Sequence, residues 1–307
     1  MGFGDLPDIY ERYRHDDRDN MIGMQGNFMN RRLAMSIALG LCAPALFISN
    51  AASAGVDVTP PSLTVPEHAS FPVGRQVPSL DWPGKFPVHY AWNASDDSGI
   101  CSAAVLEHWG DGYIDKFRIW RGKDSEVDLD VVQSNGSHSD NVQYHSIRVK
   151  DCAGNKATRT FPGIPLVFEE QGYAEEIVNE TPANVSWHGN WRLHTEDTAY
   201  GGSLATTKDP GAKVVYAFDA ATSNLEAGSH IGLVMPVGPH RGKVTVSLFG
   251  SEDTVVDTYA PQRQPRQVVA DIEVSADNIN NNKVTLTLTN FGGGAKSKVS
   301  IDAIAIL

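Results

Sequence analysis

The most chemically suggestive stretch of the sequence is MPVGPHRGKVTVSLFG, residues 235–250, where two glycines and Pro239 surround His240 and Arg241. Arginine donates paired hydrogen bonds to carboxylates and to hydroxyls, so this stretch could line a ligand-binding face. A phosphate-binding loop would need its glycines to lead into a helix, and the residues after the second glycine alternate like a strand instead. The stretch therefore predicts a tight turn between two core strands, with His240 and Arg241 at the rim of a candidate ligand face.

A group of aromatic and planar polar side chains precedes this turn. Sugar recognition uses aromatic rings that stack on the C–H faces of a sugar, and planar polar groups that fix its orientation. Trp191 is interpreted as a core residue because it opens a predicted strand, and the turn at Tyr200 has a simple structural interpretation. The candidate ligand-binding residues are Trp187, His188, Arg192, Tyr200, His240 and Arg241, with Glu196, Asp197 and Asp219 as further polar candidates.

The sequence carries no catalytic signature. It contains no nucleophile elbow, HExxH motif or Ser/His/Asp order in the required context, and none of its ten histidines has another histidine two or four positions away. Two distant carboxylates could still serve a glycosidase on a β-sandwich, because sequence does not reveal such pairs. The sequence predicts a protein that is not an enzyme, with a β-sandwich glycan hydrolase as an alternative.

Acidic turns offer a second kind of site. Asp96 and Asp97 share one turn, and Asp57 or Asp151 nearby could complete a set of oxygen ligands for calcium. Solvated carboxylates in turns are far more common than calcium ligands. The sequence therefore predicts no cofactor and no metal, with calcium as the alternative.

Residues 29–54 have the composition of a secretory signal peptide. They contain the basic pair Arg31-Arg32, an apolar run and the small-residue site Ala52-Ser53-Ala54, after which cleavage is expected. A membrane anchor would need a longer uninterrupted apolar run, and Pro44 interrupts this one.

Residues 1–28 are polar and charged, and they are predicted to be a disordered, over-extended N-terminus before a true start at Met29 or Met24. The predicted mature protein is extracellular, either secreted or noncovalently associated with the cell surface, without membrane insertion after cleavage. Only Cys101 and Cys152 then remain, and an oxidising compartment predicts that they form one disulfide. A reactive thiol pair would need a histidine or another cysteine close in sequence.

The chain is acidic, with 25 Lys and Arg against 37 Asp and Glu and a net charge of −12. An acidic surface repels phosphate backbones, so the charge excludes nucleic acid as the principal partner. The expected partner is a carbohydrate or a cell-surface polymer, with a protein partner as the alternative.

Short β-strands must position these candidate residues. The sequence after residue 55 shows almost no helical period, whereas apolar and polar residues alternate between Gly, Pro, Asn and Asp turns. This pattern predicts an all-β fold of antiparallel sandwiches. Examples are VHYAW (88–92), YHSIRV (144–149), KVVYAF (213–218), KVTVSLF (243–249), KVTLTLT (283–289) and KVSIDAIAIL (298–307).

Two turn motifs characterise residues 55–165. The sequence Asp96-Asp97-Ser98-Gly99 follows an early strand, and Asp151 to Asn155 forms a late hairpin corner. In this order, with Cys101 and Cys152 beside them, they resemble the bacterial immunoglobulin-like domains of secreted proteins. The resemblance implies an immunoglobulin-like sandwich whose disulfide joins the strand after the first turn to the strand before the last hairpin.

Six sequence blocks in residues 166–307 resemble the C-terminal domain of many secreted actinobacterial proteins, a galactose-binding-like jelly roll. The family's Asp-Gly hairpin after the Gly-Pro-x-Arg-Gly strand is replaced by a longer loop at residues 249–253. The matching blocks are Gly189-Asn190-Trp191, Tyr200-Gly201-Gly202-Ser203, Gly211-Ala212 with Phe218, Gly238 to Lys243, Arg266 to Val269, and Ile301-Asp302-Ala303.

The resemblance implies a secreted, non-catalytic module that binds carbohydrate through the jelly roll, with the immunoglobulin-like domain as a spacer. The carbohydrate would belong to a cell wall, a capsule or an environmental glycan. Sandwiches of this class also bind proteins, so a structural or adhesion module that binds a surface protein is the alternative.

Overall fold

The structure is a computed structural model that describes residues 56–78, 85–109, 115–132, 144–161, 166–169, 183–292 and 297–307. The predictions for residues 1–28 and for the signal peptide at 29–54 fall outside the described residues and stay predictions. Residues Gly55–Leu307 form one compact unit. Within the described ranges, no helix is long and apolar enough to cross a membrane.

The described residues are almost entirely β-strands joined in antiparallel ladders, which confirms the predicted all-β fold class. The first block contains β1 (Ser62–Thr64), β2 (Lys85–Ala91), β3 (Asn93–Ser95), β4 (Ile100–Trp109), β5 (Asp115–Gly122), β6 (Glu126–Val132), β7 (Tyr144–Asp151) and β8 (Lys156–Phe161). The second contains β9 (Leu166–Glu169), β10 (Ala183–His188), β11 (Arg192–Thr195), β12 (Ser203–Thr207), β13 (Lys213–Asp219), β14 (His230–Val237), β15 (Lys243–Leu248), β16 (Thr254–Asp257), β17 (Gln264–Glu273), β18 (Ile279–Asn280), β19 (Lys283–Asn290), β20 (Val299–Ile301) and β21 (Ala303–Ile306). Two 3-10 turns accompany them, at Tyr200–Gly202 and Ala276–Asn278.

The first block packs a four-stranded sheet, in the order β5-β4-β7-β8, with the β2-β6 pair and the β1-β3 pair. Alternation along β2 and β7 turns one set of side chains inward, as the period of two predicts. Val88, Tyr90, Ile147 and Val149 are fully buried in the resulting core.

The predicted disulfide between Cys101 and Cys152 is present and spans 51 residues of sequence. It connects the start of β4 to the turn after β7. The backbone N–H of Cys152 donates to the carbonyl of Gly99 at 2.9 Å, so the covalent link lies beside an existing backbone contact.

The second block contains one larger sheet, β10-β13-β19-β15-β16 with β18 beside β19, and a four-stranded sheet in the order β17-β14-β21-β9. Apolar side chains of both sheets meet in one core. In β19 the inward-facing residues Val284, Leu286 and Leu288 are fully buried, and the threonines between them face outward. The KVTLTLT pattern thus behaves as predicted.

Strands β14 and β21 are buried on both faces of their sheet, since the second face packs against the first block. Phe71, Val77 and Phe86 cover Val234 and Val268 in a third apolar cluster. Backbone hydrogen bonds reinforce this contact: residues 74, 75 and 77 pair with residues 266 and 268 at 2.7–3.0 Å. Burial on both faces explains the nearly continuous apolar run at the C-terminus.

One predicted strand is divided. The alternation in KVSIDAIAIL predicts a single strand over 298–307, but β20 and β21 belong to different sheets, with Asp302 between them. Asp302 is fully buried, its Oδ1 accepts a hydrogen bond from the backbone N–H of Tyr200 at 2.7 Å, and its own N–H donates to Val234 at 3.1 Å. This buried carboxylate forms the corner where the chain changes sheets.

Candidate functional site

A three-stranded sheet, β11-β12-β20, presents one polar face. Antiparallel register places Arg192, Thr206 and Ser300 side by side across the three strands. Laterally paired residues point to the same side, and the next residues along each strand point to the other. Accordingly Ala205 and Ile301 lie in the core while Arg192 is exposed on the opposite face.

Arg241 lies against this face. It belongs to the predicted turn between β14 and β15, in which the N–H of Arg241 donates to Gly238 at 3.1 Å and the N–H of Gly242 donates to Lys298 at 3.0 Å. The Arg241 side chain is only 7% exposed, and its Nη1 donates to the hydroxyl of Ser300. The Ser300 hydroxyl also shares a hydrogen bond of 2.6 Å with Thr206.

Burial of a guanidinium weakens its hold on its proton. Desolvation, with the charge of Arg263 added, lowers the pKa of Arg241 to about 10, although Glu196 acts in the opposite direction. Lys298 behaves in the same way. Burial first, and then Arg241 and its other cationic neighbours, lower the pKa of Lys298 as well.

We call Arg241, Lys298, Lys208 and Arg263 the basic cluster. Glu196 supplies the negative charge that acts to raise pKa values in this cluster, and its carboxylate already has two partners. Arg263 lies 2.7 Å from it, and the Thr198 hydroxyl donates a hydrogen bond to it at 2.8 Å. These two contacts hold the pKa of Glu196 below its usual value. Among the described residues, no carboxylate lies within ion-pair distance of Arg241.

The first of the predicted aromatic residues, Trp187, lies in a different sheet. Trp187, on β10, is paired in register with Val214 and packs against the core, and its ring meets that of Trp191 at 5.0 Å edge to face. Trp191 is buried, as predicted for a core residue, and its Nε1 donates to the carbonyl of His188 at 3.3 Å. The His188 side chain is exposed beside Lys213.

Tyr200 departs from the sequence expectation. As a platform for a sugar its ring would need an open face, but it is 2% exposed and packs near Phe86 in the third apolar cluster. Positive φ at Gly201 and Gly202 folds the chain back at this point, so the ring enters the interior. The Tyr-Gly-Gly pattern predicted the turn correctly but not the direction of the side chain.

The two candidate residues of the turn differ in their exposure to solvent. His240 is exposed at the tip of the turn, whereas its neighbour Arg241 is buried, so Arg241 is not a rim residue. Of the sequence-predicted candidates, Arg192 lies on β11 and Arg241 contacts Ser300 of β20, so both adjoin the β11-β12-β20 sheet, whereas Trp187 and His188 lie on β10 and Tyr200 lies in a 3-10 turn.

Three polar residues of the site were not singled out from the sequence: Thr206, Lys298 and Ser300. A signal for two of them was present in the sequence, because Lys298 and Ser300 alternate with the apolar Val299 and Ile301; Ser300 is nevertheless only 1% exposed. No local pattern indicated that Arg241, 59 residues earlier, would reach Ser300.

A second charged cluster lies in the first block. Asp57, Asp96 and Asp151 each place one carboxylate oxygen within 4.8 Å of the others. These are three of the four acidic residues that the sequence offered for calcium.

Comparison with known proteins gives weak structural similarity only. No family model and no curated protein matches the chain. A family 35 carbohydrate-binding module from Clostridium thermocellum matches with 16% identity and a TM-score of 0.32, covering 46% of this chain and 96% of the module. The family 35 module of Abf62 from Cellvibrio japonicus matches with 14% identity and a TM-score of 0.32, over 47% and 93% of the two chains. An exo-β-1,3-galactanase from Phanerochaete chrysosporium matches with 11% identity and a TM-score of 0.30, over 81% and 68%. Values this low do not by themselves support a shared function.

Proposed function

We propose that this protein is an extracellular, non-catalytic module that binds an acidic carbohydrate on the polar face of β11-β12-β20. One observation carries the proposal: Arg241 is only 7% exposed, donates to a serine hydroxyl and lies near other cations, and among the described residues no carboxylate lies within ion-pair distance of it.

A buried charge without a partner is unfavourable, because desolvation is not offset by an ion pair. The lowered pKa of Arg241 is the expression of that penalty. A bound anion would remove it. The planar guanidinium suits the two oxygens of a carboxylate or a sulfate.

The overall charge makes this local cluster selective. Because the whole chain carries a net charge of −12, its long-range field repels polyanions in general. An acidic ligand must therefore gain its affinity from short-range contacts with Arg241, Arg192 and the basic cluster. This combination disfavours nucleic acid and favours a glycan with spaced uronate or sulfate groups.

The disulfide supports an extracytoplasmic location, since such bonds persist in oxidising compartments. The glycan of a cell wall, a capsule or the environment is accessible there. In this proposal the first block supports the second through the third apolar cluster, and its role is structural.

The test is binding of the full chain to polygalacturonate and to its methyl-esterified, uncharged form, measured by affinity electrophoresis and calorimetry. We expect preference for the acidic polymer. Arg241→Lys keeps the charge but loses the paired donors, and should weaken binding about tenfold, or about 1.4 kcal/mol. Arg192→Gln should weaken binding less, because Arg192 is exposed. The matched control, Lys213→Gln, removes an exposed cation from another sheet and should leave binding unchanged.

The outcomes separate the alternatives. Equal affinity for both polymers, or an Arg241→Lys variant that binds like the parent, refutes the acidic-glycan proposal. Loss of binding in Trp187→Ala alone would place the ligand on the aromatic pair instead. Release of reducing ends from either polymer would indicate a hydrolase, and retention of an acidic protein in place of any glycan would indicate an adhesion module.

A further inference from the structure

Three separate segments of the first block converge on one point. Asp57 lies in the entry segment before β1, Asp96 lies in the turn between β3 and β4, and Asp151 ends β7. One oxygen from each carboxylate lies within 4.8 Å of the other two. Three like charges at this separation repel one another.

Each carboxylate is held in place by one of its two oxygens. Oδ1 of Asp57 accepts the N–H of Thr59 at 3.0 Å, and Oδ1 of Asp96 accepts the N–H of Ser98 at 2.9 Å. Oδ1 of Asp151 accepts the N–H of Asn155 at 2.7 Å. Short-range backbone contacts therefore fix all three side chains before any ligand arrives.

The second oxygens of two of these carboxylates indicate a ligand. Oδ2 of Asp151 and Oδ2 of Asp57 are both buried without a hydrogen-bond partner, and the Asp151 side chain has no exposure to solvent. Buried carboxylate oxygens normally have a donor or a cation. Among the described residues, no Lys, Arg or His forms an ion pair with any of the three.

We propose that Asp57, Asp96 and Asp151 bind one calcium ion. Asp57 and Asp96 also line an adjoining cleft of about 380 Å³, together with Pro60 and the hydroxyl-bearing residues Thr59, Ser62 and Ser95. Calcium accepts six to eight oxygens in flexible geometry, whereas magnesium requires a near-ideal octahedron. Ligands that come from three independent segments suit the first ion better than the second.

The ion would tie the first block together. The Asn155 side chain already donates to the carbonyl of Asp57 at 3.1 Å, and the disulfide lies beside the same hairpin. Calcium would add a third link among the entry segment, the early turn and the late hairpin. This site is separate from the polar face of β11-β12-β20 and its occupancy is measured without any glycan.

The experiment is calcium titration of the full chain after dialysis against EDTA, by calorimetry and by thermal unfolding. We expect one saturable site with a Kd on the order of 0.1–1 mM, the range of extracellular calcium modules. A large excess of calcium should raise Tm by about 5 °C or more, and magnesium should bind about tenfold more weakly. Asp57→Asn and Asp96→Asn keep the oxygen that accepts the backbone N–H, so they should fold and yet bind calcium at least about tenfold more weakly.

The matched control is Asp97→Asn. Asp97 is exposed in the same turn and lines the same cleft, but it is not one of the three converging carboxylates. It should alter the Kd by no more than about twofold, the effect expected of one more exposed charge. If calcium produces neither heat nor a shift in Tm, or if Asp97→Asn weakens binding as much as Asp57→Asn, the assigned site is wrong.

Discussion

Substitution of Phe71 tests whether the two blocks act as one folding unit. Phe71 lies in the segment that docks onto β17, it is 2% exposed, and its ring meets Phe86 edge to face at 5.3 Å. The ring also covers Gly232 in the middle of β14, where a methyl group in place of the glycine hydrogen would approach a ring carbon at 2.6 Å. Phe71 is therefore the side chain that fills the contact between the blocks.

The expected loss is large for a single residue. Truncation of a buried phenylalanine to alanine removes about 3–5 kcal/mol of unfolding free energy, because both apolar burial and packing contacts are lost. For a chain of this size, 1 kcal/mol corresponds to about 2–4 °C in Tm. We expect Phe71→Ala to lower Tm by about 6–20 °C in one cooperative transition.

Scanning calorimetry of the full chain measures both quantities. Val73→Ala is the matched control, because Val73 lies in the same segment but is 61% exposed and should change the stability by less than about 0.5 kcal/mol. Gly232→Ala adds a methyl group to the same contact from the β14 side and should lower the unfolding free energy by about 1–3 kcal/mol through overpacking. Two resolved transitions, of which Phe71→Ala affects only one, would refute a shared folding unit.

Three further predictions concern stability and charge. Replacement of Cys101 and Cys152 by serine should lower the unfolding free energy by about 4 kcal/mol in the chain-entropy model, since the bond spans 51 residues, and calorimetry checks this. Asn278→Ala removes four hydrogen bonds of a fully buried amide and should cost about 2–4 kcal/mol in urea unfolding, whereas the exposed Asp277→Ala should be nearly neutral. Binding of an acidic glycan should be constant up to about pH 9 and decline as the pH passes about 10, because Arg241 binds anions only while protonated; an unchanged Kd at about pH 11 would contradict its role.

The all-β fold class could be predicted from local sequence pattern, because alternation of apolar and polar residues with a period of two has few explanations other than a β-strand. In β19, three alternating positions are fully buried, and the threonines between them are outside. The turn at Gly238 was equally predictable, since strand-like alternation on both sides of it leaves only a short connection between two strands. These features depend on neighbours within a few residues, which is the range over which sequence is informative.

Features that depend on distant partners were not predictable in this way. Asp302 divides the last predicted strand because its side chain accepts a hydrogen bond from Tyr200, 102 residues away, and alternation continues on both sides of it. Asp302 also holds the backbone of Tyr200, whose ring was a candidate ligand contact and is buried. Arg241 was identified by its chemistry, but its burial results from Ser300, which the pattern around the turn does not contain.

The two proposed sites share a physical origin. Globular proteins seldom bury a charged group unless it is paired, and the described part of this chain buries Arg241 among cations and Asp151 among carboxylates. If the two groups had evolved only for stability, an apolar side chain in each place would avoid the desolvation penalty. The opposite charges of the two groups support the two proposals, an anion on β11-β12-β20 and a cation at the turns of the first block. The two ligands can be titrated separately, so failure of either proposal leaves the other intact.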